Sequence, residues 1–356
     1  MNSTSDWTYT WDKDGQQVRA DDVVSFELNG ATLSISSASA GHAGQYNCKG
    51  HLKDRSVSSS SSSGLTLKVY DKKPTVILTQ YPEYKVMFPG ETVSFSCHIN
   101  VSTGWEYLWY KDSTPLSKSA NKYPISSVGT TNKGLYTCTA KRGSDKEFFP
   151  VSSQPVHLEV EGNKPKPVMT QQPDVDKVYS GESVSFECKV SLSSGWVYRW
   201  YKDETPLQIN SSSFNIHDAT LSNSGTYKCM AMRDKTAYST EHSDSRILHV
   251  SDIPVPSLNL ATPWLDVFPT ESVKLSCGMD GTSDWTYIWF NDGKQVEANN
   301  IVSFDSDAAT LSISSAAALH RGQYSCSGKL KSRSVNSTFS SVQTLGVHGK
   351  LLLFFI

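Results

Sequence analysis

Seven cysteines are the side chains in this 356-residue chain best equipped for covalent chemistry. A thiolate can attack a carbonyl, ligate zinc or close a disulfide, and its neighbours decide which. No Cys-x-x-Cys pair occurs, and the nine histidines are scattered without metal spacing. Gly-x-Ser-x-Gly, Gly-x-Gly-x-x-Gly, Walker and His-Glu-x-x-His motifs are absent too. The sequence therefore predicts no catalytic residue, no metal site and no cofactor. The serine run Ser58–Ser63 reads as a solvated hairpin loop open to O-glycosylation. Charge narrows the partners further. Lys and Arg total 33 against 35 Asp and Glu, a net charge of −2, so nothing points to nucleic acid or a polybasic membrane surface. A hydrophobic fraction of 37% with 11% aromatics supports a packed core.

The cysteines must be positioned by something, and their spacing shows what. Cys97 and Cys188 are 91 residues apart, as are Cys138 and Cys229. Gly104-Trp105-Glu106-Tyr107-Leu108-Trp109-Tyr110-Lys111-Asp112 matches Gly195-Trp196-Val197-Tyr198-Arg199-Trp200-Tyr201-Lys202-Asp203 at the same offset. A second offset, 278, lays Trp7 on Trp285, Trp11 on Trp289 and Cys48 on Cys326 without a gap. More than half of the positions in that register are identical, which marks a repeat. The order is A-B-B-A. Segments run 1–71, 72–162, 163–251 and 252–350, joined at Asp71-Lys72-Lys73-Pro74, Glu161–Pro165 and Ser251–Pro256. Residues 351–356 form an apolar tail, too short at six residues to cross a bilayer, which takes about 20 in a helix. It reads as the start of a transmembrane segment cut short, an odd end on a soluble form, or read-through.

Each segment carries strand signals. Val93-Ser94-Phe95-Ser96-Cys97, Val184–Cys188 and Val273–Cys277 alternate with period two, the mark of a half-buried strand. A tryptophan stands twelve residues after each first cysteine: Trp109, Trp200 and Trp289. A tyrosine stands two before each second cysteine: Tyr46, Tyr136, Tyr227 and Tyr324. Two residues earlier stand Gly44, Gly134, Gly225 and Gly322. The strand before the tryptophan reads Trp-x-Tyr-x-Trp in all four copies. Alternation puts these three rings on one face, and the expectation is that all of them plug the core. No amphipathic helix pattern appears.

This constellation resembles the immunoglobulin fold: an all-β tandem array of β-sandwiches of constant or intermediate type. The resemblance implies Cys97–Cys138, Cys188–Cys229 and Cys277–Cys326 bridges, with Trp11, Trp109, Trp200, Trp289 and the four tyrosines as core signature. It leaves Cys48 unpaired, because Cys277 shifted by 278 falls two residues before Met1. The first segment is therefore expected to be a truncated domain lacking its first strands, and Met1–Asp6 lacks the features of a signal peptide. Where the family carries an aspartate two residues before the corner glycine, this chain has His42, Asn132, Asn223 and His320.

Paired cysteines imply an oxidising compartment. Sequons at Asn2, Asn100, Asn210 and Asn336 add glycosylation, and with it the extracellular side of the plasma membrane or a secreted form. A cytosolic structural array would instead carry free thiols and no glycans. Gly-Trp-x-Tyr-x-Trp-Tyr-Lys-Asp with Thr114-Pro115-Leu116 and Thr205-Pro206-Leu207 downstream is similar to the Fc receptor-like branch and to the leukocyte immune-type receptors of fish. That likeness implies an immune-cell surface receptor whose ectodomain binds a protein ligand, immunoglobulin Fc or another surface protein, and no nucleic acid. An adhesion molecule with homophilic or heterophilic contacts is the alternative. The antibody-clamping tryptophan of gamma-class Fc receptors has no counterpart in His98–Thr103 or Lys189–Ser194. Ligand candidates are the hairpin tips: Lys141, Arg142, Asp145 and Lys146 ahead of Phe148-Phe149, then Arg233, Asp234 and Lys235.

Overall fold

The structure, a computed structural model, describes residues 6–117, 119–144, 147–279 and 284–349. The described residues hold four β-sandwiches and four single-turn 3-10 helices. The chain packs as two compact units. One holds Met1–Glu83 with Thr92–Glu159, and the other holds Tyr84–Glu91 with Val160–Ile356.

In the first unit, sandwich one places Trp7–Lys13 between Gln16–Gln17 and Gly44–Leu52, with Leu65–Leu67 outermost. Its facing sheet is the pair Val24–Phe26 and Leu33–Ile35. An apolar groove of about 350 Å³ lined by Trp11, Leu33, Ile35, Ala38, Tyr46, Leu65 and Leu67 runs between them. Sandwich two sets the sheet Lys122–Ile125, Val93–His98, Ile77–Tyr81 against a second sheet containing Thr114–Leu116, Glu106–Lys111, Gly134–Lys141 and Val156–Val160 in that order. Period two decides the packing: Val93, Phe95 and Cys97 are buried, and Ser94 and Ser96 are not.

In the second unit, sandwich three sets Val168–Gln172, Val184–Lys189, Ser213–Ile216 against Lys177–Tyr179, Arg246–Ser251, Gly225–Arg233, Trp196–Lys202, Thr205–Leu207. Sandwich four repeats that plan with Ser257–Leu260, Val273–Gly278, Thr310–Ile313, Val302–Phe304 against Asp266–Val267, Gln343–Val347, Gly322–Leu330, Trp285–Asn291, Lys294–Gln295. Lys177–Tyr179 and Asp266–Val267 run parallel to their last-strand partners, while the other pairings are antiparallel. In both sandwiches, alternate residues of the two inner faces fill one core. Phe186, Trp200 and Leu248 do so in the third, and Leu275, Trp289 and Leu345 in the fourth.

Disulfides join Cys97 to Cys138, Cys188 to Cys229 and Cys277 to Cys326, and Cys48 is free and half-buried. The register places each signature tryptophan opposite a second cysteine: Trp11 and Cys48, Trp109 and Cys138, Trp200 and Cys229, Trp289 and Cys326. Each indole N–H donates to a carbonyl of the facing loop, at Gly30, Ala120, Ser211 and Ala308, over 2.6–2.8 Å. That satisfies the one polar atom of an otherwise apolar ring. Trp109, Trp200 and Trp289 are buried, whereas Trp11 is half-buried against the groove.

Candidate recognition surfaces

The repeated polar residues do structural work first. Each corner tyrosine donates its hydroxyl proton to the carbonyl four residues back: Tyr46 to His42, Tyr136 to Asn132, Tyr227 to Asn223 and Tyr324 to His320, at 2.7–2.8 Å. Burial pushes the Tyr136, Tyr227 and Tyr324 phenols up to about 12. The side chains of His42, Asn132, Asn223 and His320 turn the other way. They accept the backbone N–H of Ser39, Gly129, Thr220 and Ala317 over 2.8–3.0 Å and so cap the 3-10 turn.

The corner glycine has a reason as well. Asp203 accepts the Thr226 N–H at 2.8 Å, which brings its carboxylate against Gly225. A Cβ on Gly225, whose φ is +157°, would sit 2.6 Å from Asp203 Oδ2. Asp14, Asp112 and Asp292 accept the Gln45, Leu135 and Gln323 N–H groups in the same way. The Lys-Asp end of the Trp-Tyr-Lys-Asp motif is thus a backbone clamp.

The serine run is exposed along Ser58–Ser63, and two of its hydroxyls also bind the neighbouring strand. Ser62 Oγ accepts the Cys48 N–H and Ser59 Oγ accepts the Gly50 N–H, each at 3.0 Å, in place of a regular strand. Ser153, Ser243 and Ser340 repeat the first contact at Cys138, Cys229 and Cys326. Asn100, Asn210 and Asn336 are exposed, and Asn210 Oδ1 accepts from Arg199 at 2.7 Å. Asn2 lies outside the described residues.

The Trp-x-Tyr-x-Trp rings are not all core. Trp285 is buried, but Trp105 and Trp196 are only half-buried. A strand's inward face runs out at the sheet end, where these rings meet arginines instead of aliphatic side chains. Arg142 lies over Trp105 at 4.6 Å and Arg233 over Trp196 at 3.9 Å.

The hairpin-tip candidates separate on burial. Arg233 is corrected: its side chain is fully buried, ion-paired to Glu91 at 2.6 Å, so it cannot touch a ligand. Its neighbours remain exposed. Asp234 accepts the Tyr84 hydroxyl at 2.6 Å, and burial first, then that bond, pushes the phenol up to about 12. Lys235 donates its backbone N–H to the same hydroxyl at 3.2 Å. In sandwich two, Lys141 lies between Glu147 at 2.8 Å and Glu106 at 3.7 Å, and those carboxylates raise its pKa. Arg142 is exposed. Asp145 and Lys146 lie outside the described residues, and Phe148 and Phe149 both remain part-exposed. Trp264 and Phe268 of sandwich four, 53% and 61% exposed, escaped the sequence reading, which followed tips rather than first strands. Among the described residues no helix is long and apolar enough to cross a membrane.

A model of the immunoglobulin domain matches residues 73–160, and a second one matches 166–232 and 255–329. Hemicentin-1 of Homo sapiens is 26% identical over 338 residues, which cover 89% of this chain and 6% of that protein. Peroxidasin homolog of Homo sapiens is 25% identical over 268 residues, covering 70% of this chain and 17% of that one. The chain thus spans less than a fifth of either relative. Among solved structures, three N-terminal domains of the bacteriophage RB49 outer capsid protein Hoc match with a TM-score of 0.52 at 14% identity. That match covers 78% of this chain and 99% of that one, and it is a likeness of fold alone.

Proposed function

The chain belongs to the immunoglobulin superfamily, and on that premise we propose that it is an extracellular recognition protein that works by adhesion-type contact between protein surfaces. The observation that carries this is how the chemistry-bearing residues are spent. Six cysteines lie in intradomain disulfides, while the signature tryptophans, tyrosines and aspartates hold the sandwiches together. What faces outward is a set of large side chains on rigid sandwich ends, Trp264, Phe268, Phe148 and Phe149 among them. Such aromatics suit the centre of a protein interface. Disulfides fit an oxidising compartment, on the outer side of the plasma membrane or in secretion. Glycans at Asn100, Asn210 and Asn336 belong to the same reading.

The finer Fc receptor-like assignment, with immune signalling and an immunoglobulin ligand, rests on the Gly-Trp-x-Tyr-x-Trp-Tyr-Lys-Asp motif and the Thr-Pro-Leu segments downstream of it. Trp105, Asp112 and Asp203 of that motif are engaged within their own sandwiches and Trp196 is stacked on the buried Arg233, which favours the adhesion-type reading.

The test is direct. Produced behind a secretory leader and coated on beads, the protein is expected to retain cells or sister beads, and to lose that property on disulfide reduction. Beads that hold neither refute the reading. Immunoglobulin passed over the same surface separates the two assignments, since saturable binding there is expected only of the Fc receptor-like one.

A further inference from the structure

Sandwich four carries aromatic rings on the outer face of a sheet where its close copy carries none. Phe290 and Phe339 meet edge-to-face there, with ring centres 5.1 Å apart and planes at 73°. Phe339 is 59% exposed. Ile288, two residues before Phe290, shares that face. The register of 278 lays Phe290, Phe339 and Ile288 on Asp12, Ser61 and Thr10 of sandwich one. Contiguous apolar side chains set toward water cost free energy unless something covers them.

The joint with sandwich three does not use this face. Arg333 pairs there with Glu182 at 3.0 Å, and Trp285 meets Tyr179 edge-on at 5.8 Å. Sandwich three, which has a repeat before it and after it, keeps the same ring pair. Its members are Tyr201 and His242, edge-to-face at 5.2 Å and 74°, and His242 is exposed. Both of those rings carry polar atoms, and the Tyr201 hydroxyl donates to Met230 Sδ at 3.3 Å.

The sequon of sandwich four lies on the face of its phenyl rings, and a bulge puts it there. Asn336 and Phe339 are three residues apart, a separation that turns side chains to opposite faces of a regular strand. Here the register shifts: Asn336 pairs with Lys329 and Phe339 with Ser327. Ser337 and Thr338 together stand opposite Gly328, whose N–H donates to Ser337 Oγ at 2.7 Å. Lys329 and Ser327 point outward on either side of the inward Gly328. Asn336 and Phe339 therefore face the same way, two rungs or about 7 Å apart. Asn336, Thr338 and Phe339 are exposed. Sandwich one has Ser58 in place of Asn336, and sandwich three has Ser239, which pairs with Met232 as Asn336 does with Lys329. The sequon is present where the rings are bare phenyls and absent from both copies whose face is polar.

We propose that the N-linked glycan of Asn336 folds back on this face, its first N-acetylglucosamine stacked on Phe339 beside Phe290, and so covers the sheet. The Asn336 amide nitrogen loses a proton and bonds to C1 of the sugar, displacing the diphosphate of a lipid-linked oligosaccharide donor. The C–H groups on one side of a pyranose ring carry partial positive charge and suit the negative face of a phenyl ring. An ordered sugar here takes this face away from protein partners and leaves recognition to the other surfaces of the sandwich. The inference rests on the extracellular reading, since the secretory route supplies such a glycan.

The full chain, secreted from glycosylating cells with isotope-labelled N-acetylglucosamine, tests it by glycopeptide mass spectrometry, NMR and thermal unfolding. The first sugar's protons, assigned by their loss in Asn336→Gln, are expected to shift upfield under the ring current. Phe339→Ser, the residue type of sandwich one, is expected to abolish that shift. Asn336→Gln is expected to lower the unfolding transition by about 4 °C or more in the parent chain and not in Phe339→Ser. Trimming the glycan to one N-acetylglucosamine is expected to leave the transition unchanged. Sugar protons without a ring-current shift, or an equal Asn336→Gln loss in both backgrounds, overturn the inference. A bare Asn336 beside glycosylated Asn100 or Asn210 overturns it and leaves the extracellular reading standing, whereas three bare sequons count against both.

Discussion

Replacing Glu91 by alanine removes the partner of an arginine with nowhere else to go. The Arg233 side chain has no exposure, and the Glu91 side chain has 1%. What remains around the guanidinium after the change is the Ser193 hydroxyl at 3.1 Å, the Ser194 and Val86 carbonyls, and the rings of Tyr84 and Trp196. Those groups are neutral, so one full charge stays buried uncompensated. Removing one partner of a buried pair costs about 3–5 kcal/mol. A domain of 60–100 residues loses roughly 4–8 °C per kcal/mol, so the transition that includes sandwich three should fall by about 12 °C or more. Thermal unfolding followed by tryptophan fluorescence measures this, with Trp196 against the site as a local reporter. Glu91→Leu combined with Arg233→Met should recover most of the loss, because an apolar pair of similar volume needs no counter-charge. Asp244→Ala is the contrasting control. It breaks the Lys166 pair, whose carboxylate is 92% exposed, and should cost under about 1 kcal/mol. A Glu91→Ala loss as small as the control's would refute the reasoning and show that the guanidinium regains water when its partner leaves.

Three other outcomes follow from the geometry. Cys188→Ala with Cys229→Ala should cost about 4 kcal/mol by chain entropy for the 41-residue separation, measured by denaturant unfolding. Peptide mapping with an alkylating tag should find three bridges and label only Cys48, and a Cys48 link to any of the other six contradicts the pairing. His320 is buried, and desolvation lowers its pKa while Nδ1 accepts the Ala317 N–H at 3.0 Å. The unfolded imidazole titrates near 6.5, so the stability of sandwich four should be full above about pH 6.5 and fall as pH drops toward the lowered folded value. His320→Asn, the residue type used at 132 and 223, keeps the acceptor and should flatten that slope. An unchanged slope would assign it to another group.

What was legible in the sequence was whatever each sandwich settles inside itself. Cys188, Trp200, Tyr227 and Gly225 keep fixed spacings because their partners, the facing sulfur, the Ser211 carbonyl, the Asn223 carbonyl and Asp203, all lie in the same repeat. The fate of Trp196 and Trp285 was not legible from their own strand. It depends on Phe88 and Tyr179, which come from residues about a hundred positions earlier. Arg233 looked like a loop-tip cation because its carboxylate partner is 142 residues away. A trace was present nonetheless, since Glu91 and Glu182 stand 91 apart, the same offset as the cysteines. Arg333 hid that trace by lying three residues past the register of Arg233, where Leu330 stands.

The parallel pairing of Lys177–Tyr179 with Arg246–Ser251 sets how this molecule behaves under tension. In sandwich three those strands lie near the two ends of the repeat, in the register Lys177 with His249, Val178 with Val250 and Tyr179 with Ser251. A pull on the ends shears all of these bonds together instead of peeling them one at a time. Once they fail, the Cys188–Cys229 bridge still withholds the 41-residue separation between its cysteines from the extending chain. At about 3.4 Å per residue that is roughly 140 Å of slack in sandwich three that only a reductant can release. Single-molecule stretching should show unfolding steps that lengthen by about that amount when thiol is added, so the disulfides set the reach of the tether as well as its stability.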